Sequence, residues 1–303
     1  MTADKAGDGP GGRCRAAVLG HPVAHSLSPV LHRAAYAALG LQGWTYDLAD
    51  VTVEQLPGFV AGLDPTWAGL SLTMPLKKAV FPLLDTISPL AAAVGAVNTV
   101  TWPGRAAPEG GVGDNTDVLG ILAALAEAGL TCAGSAVVLG GGATAASAVA
   151  AALELGCAEP VLRVRSPERA RDTLEAAERL GARPVTAPLA DAWHDLDGVD
   201  VVVSTVPSGA SADLATALDT VAAARRRDAA LPVLVDVVYA PWPTALAAAW
   251  QRHGGTVVGG LSMLVHQAVE QVRLMTGHAG PLEAMRAAGR QELARREGCD
   301  ATA

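Results

Sequence analysis

The sequence predicts an α/β fold, and three observations carry that prediction. Short apolar runs alternate with helical patterns along most of the 303 residues, the arrangement of proteins built on parallel sheets. One such run, Val137-Val138-Leu139, leads into three glycines, Gly140, Gly141 and Gly142, and then into an alanine-rich helix from Thr144. After Leu261 the pattern turns helical to about Thr276, and a second helix starts near Pro281.

Half of the residues are hydrophobic but only 4% are aromatic, so the core must be aliphatic. A net charge of −8 argues against a nucleic-acid or anionic-membrane surface. Cys14, Cys132, Cys157 and Cys299 are scattered, without a Cys-x-x-Cys pair or a nearby histidine at ligand spacing. They read as reduced thiols in a cytoplasmic protein, and no metal site is expected. Residues 1–13 are polar and glycine-rich, lack the apolar core of a signal peptide, and read as a disordered tail. Proline and aspartate interrupt the longest apolar region, so no transmembrane span is expected. Lysine stands only at Lys5, Lys77 and Lys78. Unlike arginine, it exchanges a proton under ordinary conditions, which makes the internal pair a candidate for chemistry.

A first strand is expected over Arg15–Gly20, then a helix from Pro29 to about Leu39, stopped by Gly40. Ser28 before Pro29 has the chemistry of a helix cap followed by proline at the first helical position. Ser26 adds a second hydroxyl, and two hydroxyls at a helix start can both donate to an anion such as a carboxylate. A strand at Thr45–Leu48, a helix around Val53–Gly62 and a strand at Ala68–Leu72 follow. Pro75 suits the first turn of another helix, which places Lys77 and Lys78 where cations oppose the macrodipole. Only one of the two is expected to face a cleft. Gly95 to Val100 reads as a strand entered through small residues. Asp114, Asn115 and Thr116 then precede a helix from Asp117 to Gly129. They serve either as ordinary caps or in recognising ligand hydroxyls, for which amides and carboxylates have the donors and acceptors.

The Gly140-x-Gly142-x-x-Ala145 turn has the features of a pyrophosphate cradle: glycines that allow close backbone approach, and helix N–H groups aimed at the turn. That makes the second part a Rossmann-type unit. About 20 residues on, an NAD-binding fold carries an acidic residue for the ribose. Here Arg165, Ser166 and Arg169 stand instead, and arginine suits the extra phosphate of NADP. Strands are expected at Pro160–Val164, Val199–Val203, Leu234–Val238 and Thr256–Val258, with a helix at Thr244–His253.

Six motifs in order resemble the shikimate dehydrogenase family: Gly20-x-Pro22-x-x-His25-Ser26-x-Ser28-Pro29, Thr73-x-Pro75-x-Lys77, Gly95-Ala96-Val97-Asn98-Thr99, Asp114-Asn115-Thr116-Asp117, the Gly140–Ala145 turn, and Gly260 through Ala268. The resemblance covers the chain from Arg15 onward. It implies a two-domain enzyme that reduces 3-dehydroshikimate to shikimate with NADP(H). It implies Lys77 and Asp117 as the catalytic pair, Ser26, Ser28 and Tyr239 on the substrate carboxylate, and Thr73, Asn98 and Gln267 on the ring hydroxyls. Gly140, Gly141, Gly142, Ala143, Thr144, Arg165, Ser166, Arg169, Thr205 and Gly260 would meet the cofactor. The sequence departs from the family at Val164 and Ser204, where asparagine is usual.

Residue chemistry agrees with those roles. Ketone reduction needs a hydride on carbon and a proton on oxygen, and an ammonium beside a carboxylate can donate that proton and stabilise the alkoxide. Lys77, Asp117 and a bound water all stay open as the direct donor. The expected division is 14–116 plus 260–303 for the α/β substrate domain and 117–259 for the NADP-binding domain, with the ligand in the cleft between them. The protein would be a monomer or homodimer. Two alternatives stay open: a quinate/shikimate or aminoshikimate dehydrogenase, and a non-catalytic NADP(H)-binding regulator.

Overall fold

The computed structural model describes residues 13–194, 196–224 and 230–300. The tail expected over 1–13 lies outside the described residues except for Arg13, as does the side chain of Arg169. The fold is α/β, built on two six-stranded sheets.

The first sheet is mixed. It contains β1 (Cys14–Gly20), β2 (Trp44–Asp50), β3 (Trp67–Leu72), β4 (Thr86–Ile87), β5 (Thr99–Thr101) and β6 (Val112–Asp114), in the order β2-β1-β3-β5-β6-β4. β1 runs parallel to β2 and β3, whereas β5 is antiparallel to both β3 and β6. Alternate residues of β1 serve opposite faces, as the two-residue period of a strand requires. Ala17 and Leu19 pack with α2 (Leu56–Ala61), α3 (Leu76–Ala79) and α4 (Pro89–Val94). Ala16 and Val18 pack with α1 (Ser28–Ala38) and with the last two helices of the chain, described below.

Three expectations need correction here. Gly95 to Val100 is not a continuous strand: α4 ends at a left-handed Gly95 (φ 72°) and the strand covers only Thr99–Thr101. The α2 helix begins at Leu56, because Val53–Gln55 form a turn before it. Ser28 is the first residue of α1 and not its cap; Leu27 occupies that position and no side chain caps the helix.

α5 (Asp117–Glu127) leads into the second sheet, made of β7 (Ala136–Leu139), β8 (Val161–Val164), β9 (Val185–Pro188), β10 (Val201–Ser204), β11 (Val233–Asp236) and β12 (Val257–Gly259). All five pairings are parallel, in the order β12-β11-β10-β7-β8-β9. Counted from β7, this is the doubly wound order, whose direction reverses between β7 and β10 and opens a ligand crevice at the strand ends. Val138 packs under α5, α6 (Ala143–Glu154) and α7 (Arg171–Arg179), and Val137 and Leu139 pack under α8 (Ser208–Ala224) and α9 (Ala245–Arg252). This two-sided burial explains the unbroken apolar run. α6 is alanine-rich because it packs closely: Ala145, Ala146 and Ala148 to Ala152 are all buried.

α10 (Gly260–Thr276) and α11 (Leu282–Asp300) pack on the first sheet through Val265, Ala268, Val272, Met275 and Met285. α10 lies so close to β3 that a Cβ on Gly69 would sit 2.6 Å from Met275 Cγ. No described helix is long and apolar enough to cross a membrane.

Candidate active site

Asp117 opens α5, where the helix dipole favours a carboxylate. The Asn115 side chain accepts from the backbone N–H groups of Asp117 (3.0 Å) and Val118 (3.3 Å), so Asn115 is the residue that holds the helix start. Asp117 Oδ1 accepts from Asn98 Nδ2 at 2.8 Å, and Oδ2 pairs with Lys77 Nζ. Both partners of that ion pair are shielded, with 14% and 7% of their side chains exposed. Lys78 turns outward to Asp172, 2.8 Å away, so the two neighbouring lysines have different surroundings.

Asn98 is buried at the cavity wall and hydrogen-bonded within the protein. Its amide also donates to Thr116 Oγ1 (2.9 Å), and its carbonyl accepts from Thr99 Oγ1 and from the Thr116 N–H, each at 2.8 Å. Gln267, on α10, reaches the same cluster: its Oε1 lies 3.3 Å from both Asn98 Nδ2 and Thr116 Oγ1. Gly120 makes this approach possible. A Cβ there would lie 2.8 Å from the Met263 carbonyl oxygen and 3.0 Å from Gln267 Cβ.

One turn along α10, Gln271 extends the network. Its Nε2 donates to Thr99 Oγ1 (2.9 Å) and the Asn98 backbone carbonyl (3.2 Å), and its Oε1 accepts from Ser71 Oγ (2.8 Å). Ser71 in turn accepts from the Tyr46 hydroxyl at 2.6 Å. Sequence reading missed Gln271, Ser71 and Tyr46. The spacing of Gln267 and Gln271, four residues apart on one helix face, was a readable signal.

Ser26 and Ser28 lie at the other end of the site, where Ser26 Oγ accepts the Ser28 N–H at 3.2 Å. Beneath them, His32 stacks on Tyr46 with ring centroids 3.9 Å apart, and its Nδ1 contacts the Ser28 carbonyl at 2.9 Å. Burial pushes His32 down to about 4, so the ring is neutral at pH 7. Burial pushes Tyr239 upward, so its hydroxyl keeps its proton and remains a donor. The turn that carries Tyr239 is tied by Asp236, which accepts from the Thr244 hydroxyl and the Val238 N–H.

Ser26, Ser28, Thr73, Lys77, Asn98, Asp117, Tyr239 and Gln267 all line one cavity of about 280 Å³. Thr144 and Gly260 line it too, at the side facing the glycine turn. Gly140 adopts φ +113°, and a Cβ there would lie 2.4 Å from Thr205 Oγ1; on Gly141 it would lie 2.7 Å from Ala170 Cβ. A Cβ on Gly142 would meet nothing within 4 Å, so this side of the turn is open at the N-terminus of α6. Glycines packed against protein on one side and open on the other fit a dinucleotide pyrophosphate. Ala143 begins α6, one residue earlier than expected, and Thr205 anchors the turn through its hydroxyl to the Leu139 carbonyl (2.8 Å). Arg165 is exposed beyond β8, while the Ser166 hydroxyl donates to Glu168. Among the described residues no cluster of histidine, cysteine and carboxylate side chains could hold a metal ion.

Residues 18–100 match the family described as shikimate dehydrogenase substrate binding domain, and residues 260–288 match the shikimate 5'-dehydrogenase C-terminal domain. Shikimate dehydrogenase (NADP(+)) of Moorella thermoacetica is 36% identical over 282 residues, covering 89% of this chain and 90% of the relative. The Symbiobacterium thermophilum enzyme of the same name is 39% identical over 285 residues, covering 89% and 92%. Among solved structures, Mycobacterium tuberculosis shikimate dehydrogenase superposes with a TM-score of 0.78 at 40% identity, covering 92% of this chain and 99% of that one. The Thermus thermophilus shikimate 5-dehydrogenase, solved in complex with NADP(H) and shikimate, gives 0.74 at 33% identity, with the same coverage.

Proposed function

The chain belongs to the shikimate dehydrogenase family, and we propose that it is an NADP-dependent oxidoreductase interconverting 3-dehydroshikimate and shikimate. The observation that carries this reading is the single cavity lined by both charged partners, Lys77 and Asp117, and by the six polar residues expected to hold the substrate.

Bound NADPH supplies a hydride to the ketone carbon; in the reverse direction NADP⁺ accepts it. The rest of the chemistry falls to the protein. Both carboxylate oxygens of Asp117 already accept hydrogen bonds, whereas Lys77 Nζ spends one of its three donors on Asp117. Lys77 is therefore the group with protons to give. It donates to the ketone oxygen as the alkoxide develops, and Asp117 aims it. Thr73, Asn98 and Gln267 hold ring hydroxyls, and Ser26, Ser28 and the protonated Tyr239 hold the carboxylate. Gly140, Gly141, Gly142, Ala143 and Thr144 would receive the pyrophosphate, with Thr205 and Gly260 beside it. Arg165, together with Ser166 and Arg169, would meet the ribose phosphate.

In this reading 14–116 plus 260–303 bind substrate, 117–259 bind cofactor, and the enzyme works in the cytoplasm as a monomer or homodimer. The test is an assay of two substrates against two cofactors. Shikimate with NADP⁺ should turn over fastest, with quinate and NAD⁺ slower. Equal or faster turnover of quinate would reassign the enzyme to quinate. Cofactor binding without turnover of either substrate would make it a regulator.

A further inference from the structure

The segment His25–Ser28 carries both serines of the substrate site, yet it belongs to no strand and enters α1 only at Ser28. Its internal hydrogen bonds are short-range: the Ser26 N–H to the Val23 carbonyl (2.9 Å) and the Ser28 N–H to Ser26 Oγ (3.2 Å). Leu27 and Ser28 are buried, and Ser28 is tied to His32 and Tyr46, so the end that these local bonds shape without anchoring is the exposed His25 and half-buried Ser26.

A fixing contact comes from the far end of the chain. Arg296, near the end of α11, donates from Nη1 to the His25 carbonyl at 2.8 Å, bridging 271 positions. From Nε it donates to Glu292 Oε1, also at 2.8 Å. Glu292 is itself held by Arg295, and the two guanidinium groups keep its carboxyl down at about 2. The Arg296 side chain is half-buried, with 28% exposed, and reaches the exposed His25 at the surface end of the segment. Tyr239, also in the substrate cavity, lies against the Leu27 backbone and within the field of Arg296. α11 is placed for this by close packing: a Cβ on Gly289 would lie 3.0 Å from the side chains of both Leu31 and Leu261.

We propose that Arg296 is a positioning residue for the substrate carboxylate, clamping the His25–Ser26 end of this segment to α11 so that Ser26 faces the cavity beside the already anchored Ser28. The proposal rests on the assignment of those serines to a carboxylate. Its logic is preorganisation. A rigid planar guanidinium engaged at two points fixes a direction that a single-point contact cannot. Without it, the segment samples other arrangements, and apparent affinity falls by the fraction of time it is competent. The interaction acts equally on bound substrate and transition state, so the loss belongs in KM and not in kcat.

The test compares wild type, Arg296→Ala, Arg296→Lys and Glu292→Gln by steady-state kinetics and by calorimetric titration of shikimate and its methyl ester. Arg296→Ala should raise the shikimate KM and Kd roughly tenfold, with kcat within about twofold. Lysine should recover part of the loss, and Glu292→Gln should show a smaller rise of about two- to fourfold, since Arg296 stays but loses its brace. Binding of the methyl ester, which lacks the anionic carboxylate, should differ little between wild type and Arg296→Ala. An unchanged shikimate Kd in Arg296→Ala overturns the proposal. So does a parallel rise in the NADP⁺ KM with a lowered Tm, which would mark a merely structural role. If Arg296→Ala does not fold, Glu292→Gln and Arg296→Lys decide by the same criteria. Wild-type protein that binds shikimate without oxidising it would sink the functional assignment and leave the calorimetric comparison to judge the clamp.

Discussion

The Asn98 side-chain amide donates to Oδ1 of Asp117 over 2.8 Å, while Lys77 takes the other oxygen of the same carboxylate. Asp117 is thus held from two sides, by a residue entering β5 and by one on α3. The pair is shielded from water, which strengthens its field at a developing alkoxide.

Replacing Lys77 with alanine removes the proposed proton donor and leaves the proposed hydroxyl and carboxylate contacts in place. The expected outcome is a fall in kcat of about 10²–10⁴-fold, with shikimate binding by calorimetry changed far less. A variant that retains more than a tenth of wild-type turnover would show that another group donates the proton.

Gly120→Ala tests how α10 is seated on α5. The new Cβ would meet the Met263 carbonyl oxygen at 2.8 Å, and backbone cannot swing aside as a side-chain end can. Overpacking of this kind costs about 1–3 kcal/mol, measurable by urea unfolding. Gln267 would shift with its helix, so the shikimate KM should rise while the NADP⁺ KM holds.

Gly140→Ala acts on the cofactor side. Its φ of +113° and a Cβ 2.4 Å from Thr205 Oγ1 both oppose a side chain. NADP⁺ affinity should weaken at least about tenfold through the displaced turn, whereas shikimate binding to the free enzyme should remain. Equal losses for both ligands would argue for general unfolding of the crevice.

His32 gives the molecule a pH-dependent stability. Its pKa falls from 6.5 in the unfolded chain to about 4 in the fold. Between those values the unfolded chain binds the extra proton, so stability rises with pH across the window and is lost as pH drops from 6.5 toward 4. Going from pH 7 to pH 5 should cost about 2 kcal/mol from this residue. Urea unfolding of His32→Asn at the two pH values should show a difference smaller by that amount; an unchanged difference would assign the pH dependence to other groups.

Much of this was legible in the linear chain because the responsible interactions are local. The run from Val137 to Leu139 reads as a two-sided strand, and the glycines after it as a cradle, from residue type and spacing alone. Ser26 and Ser28, Lys77, and Asn115 to Asp117 stand out for the same reason, as does the repeat of strand and helix. The short strands β4, β5 and β6 were less legible, since two or three residues cannot display a period, and the antiparallel turn at β5 follows from pairing across the sheet. One cap was misassigned: Leu27, not Ser28, precedes α1, and Ser28 is already its first residue.

Composition and motif order were enough to suggest a dinucleotide cradle, a proton donor and a carboxylate partner, since each needs only a few neighbouring residues with the right chemistry. Packing determined how they meet. The line from Tyr46 through Ser71 and Gln271 to Thr99 and Asn98 joins four segments far apart in sequence, and Arg296 reaches His25 across almost the whole chain. Such contacts leave no local signature. They exist because α10 and α11 bury their apolar faces on the first sheet, and the polar residues between those faces find partners only after that burial.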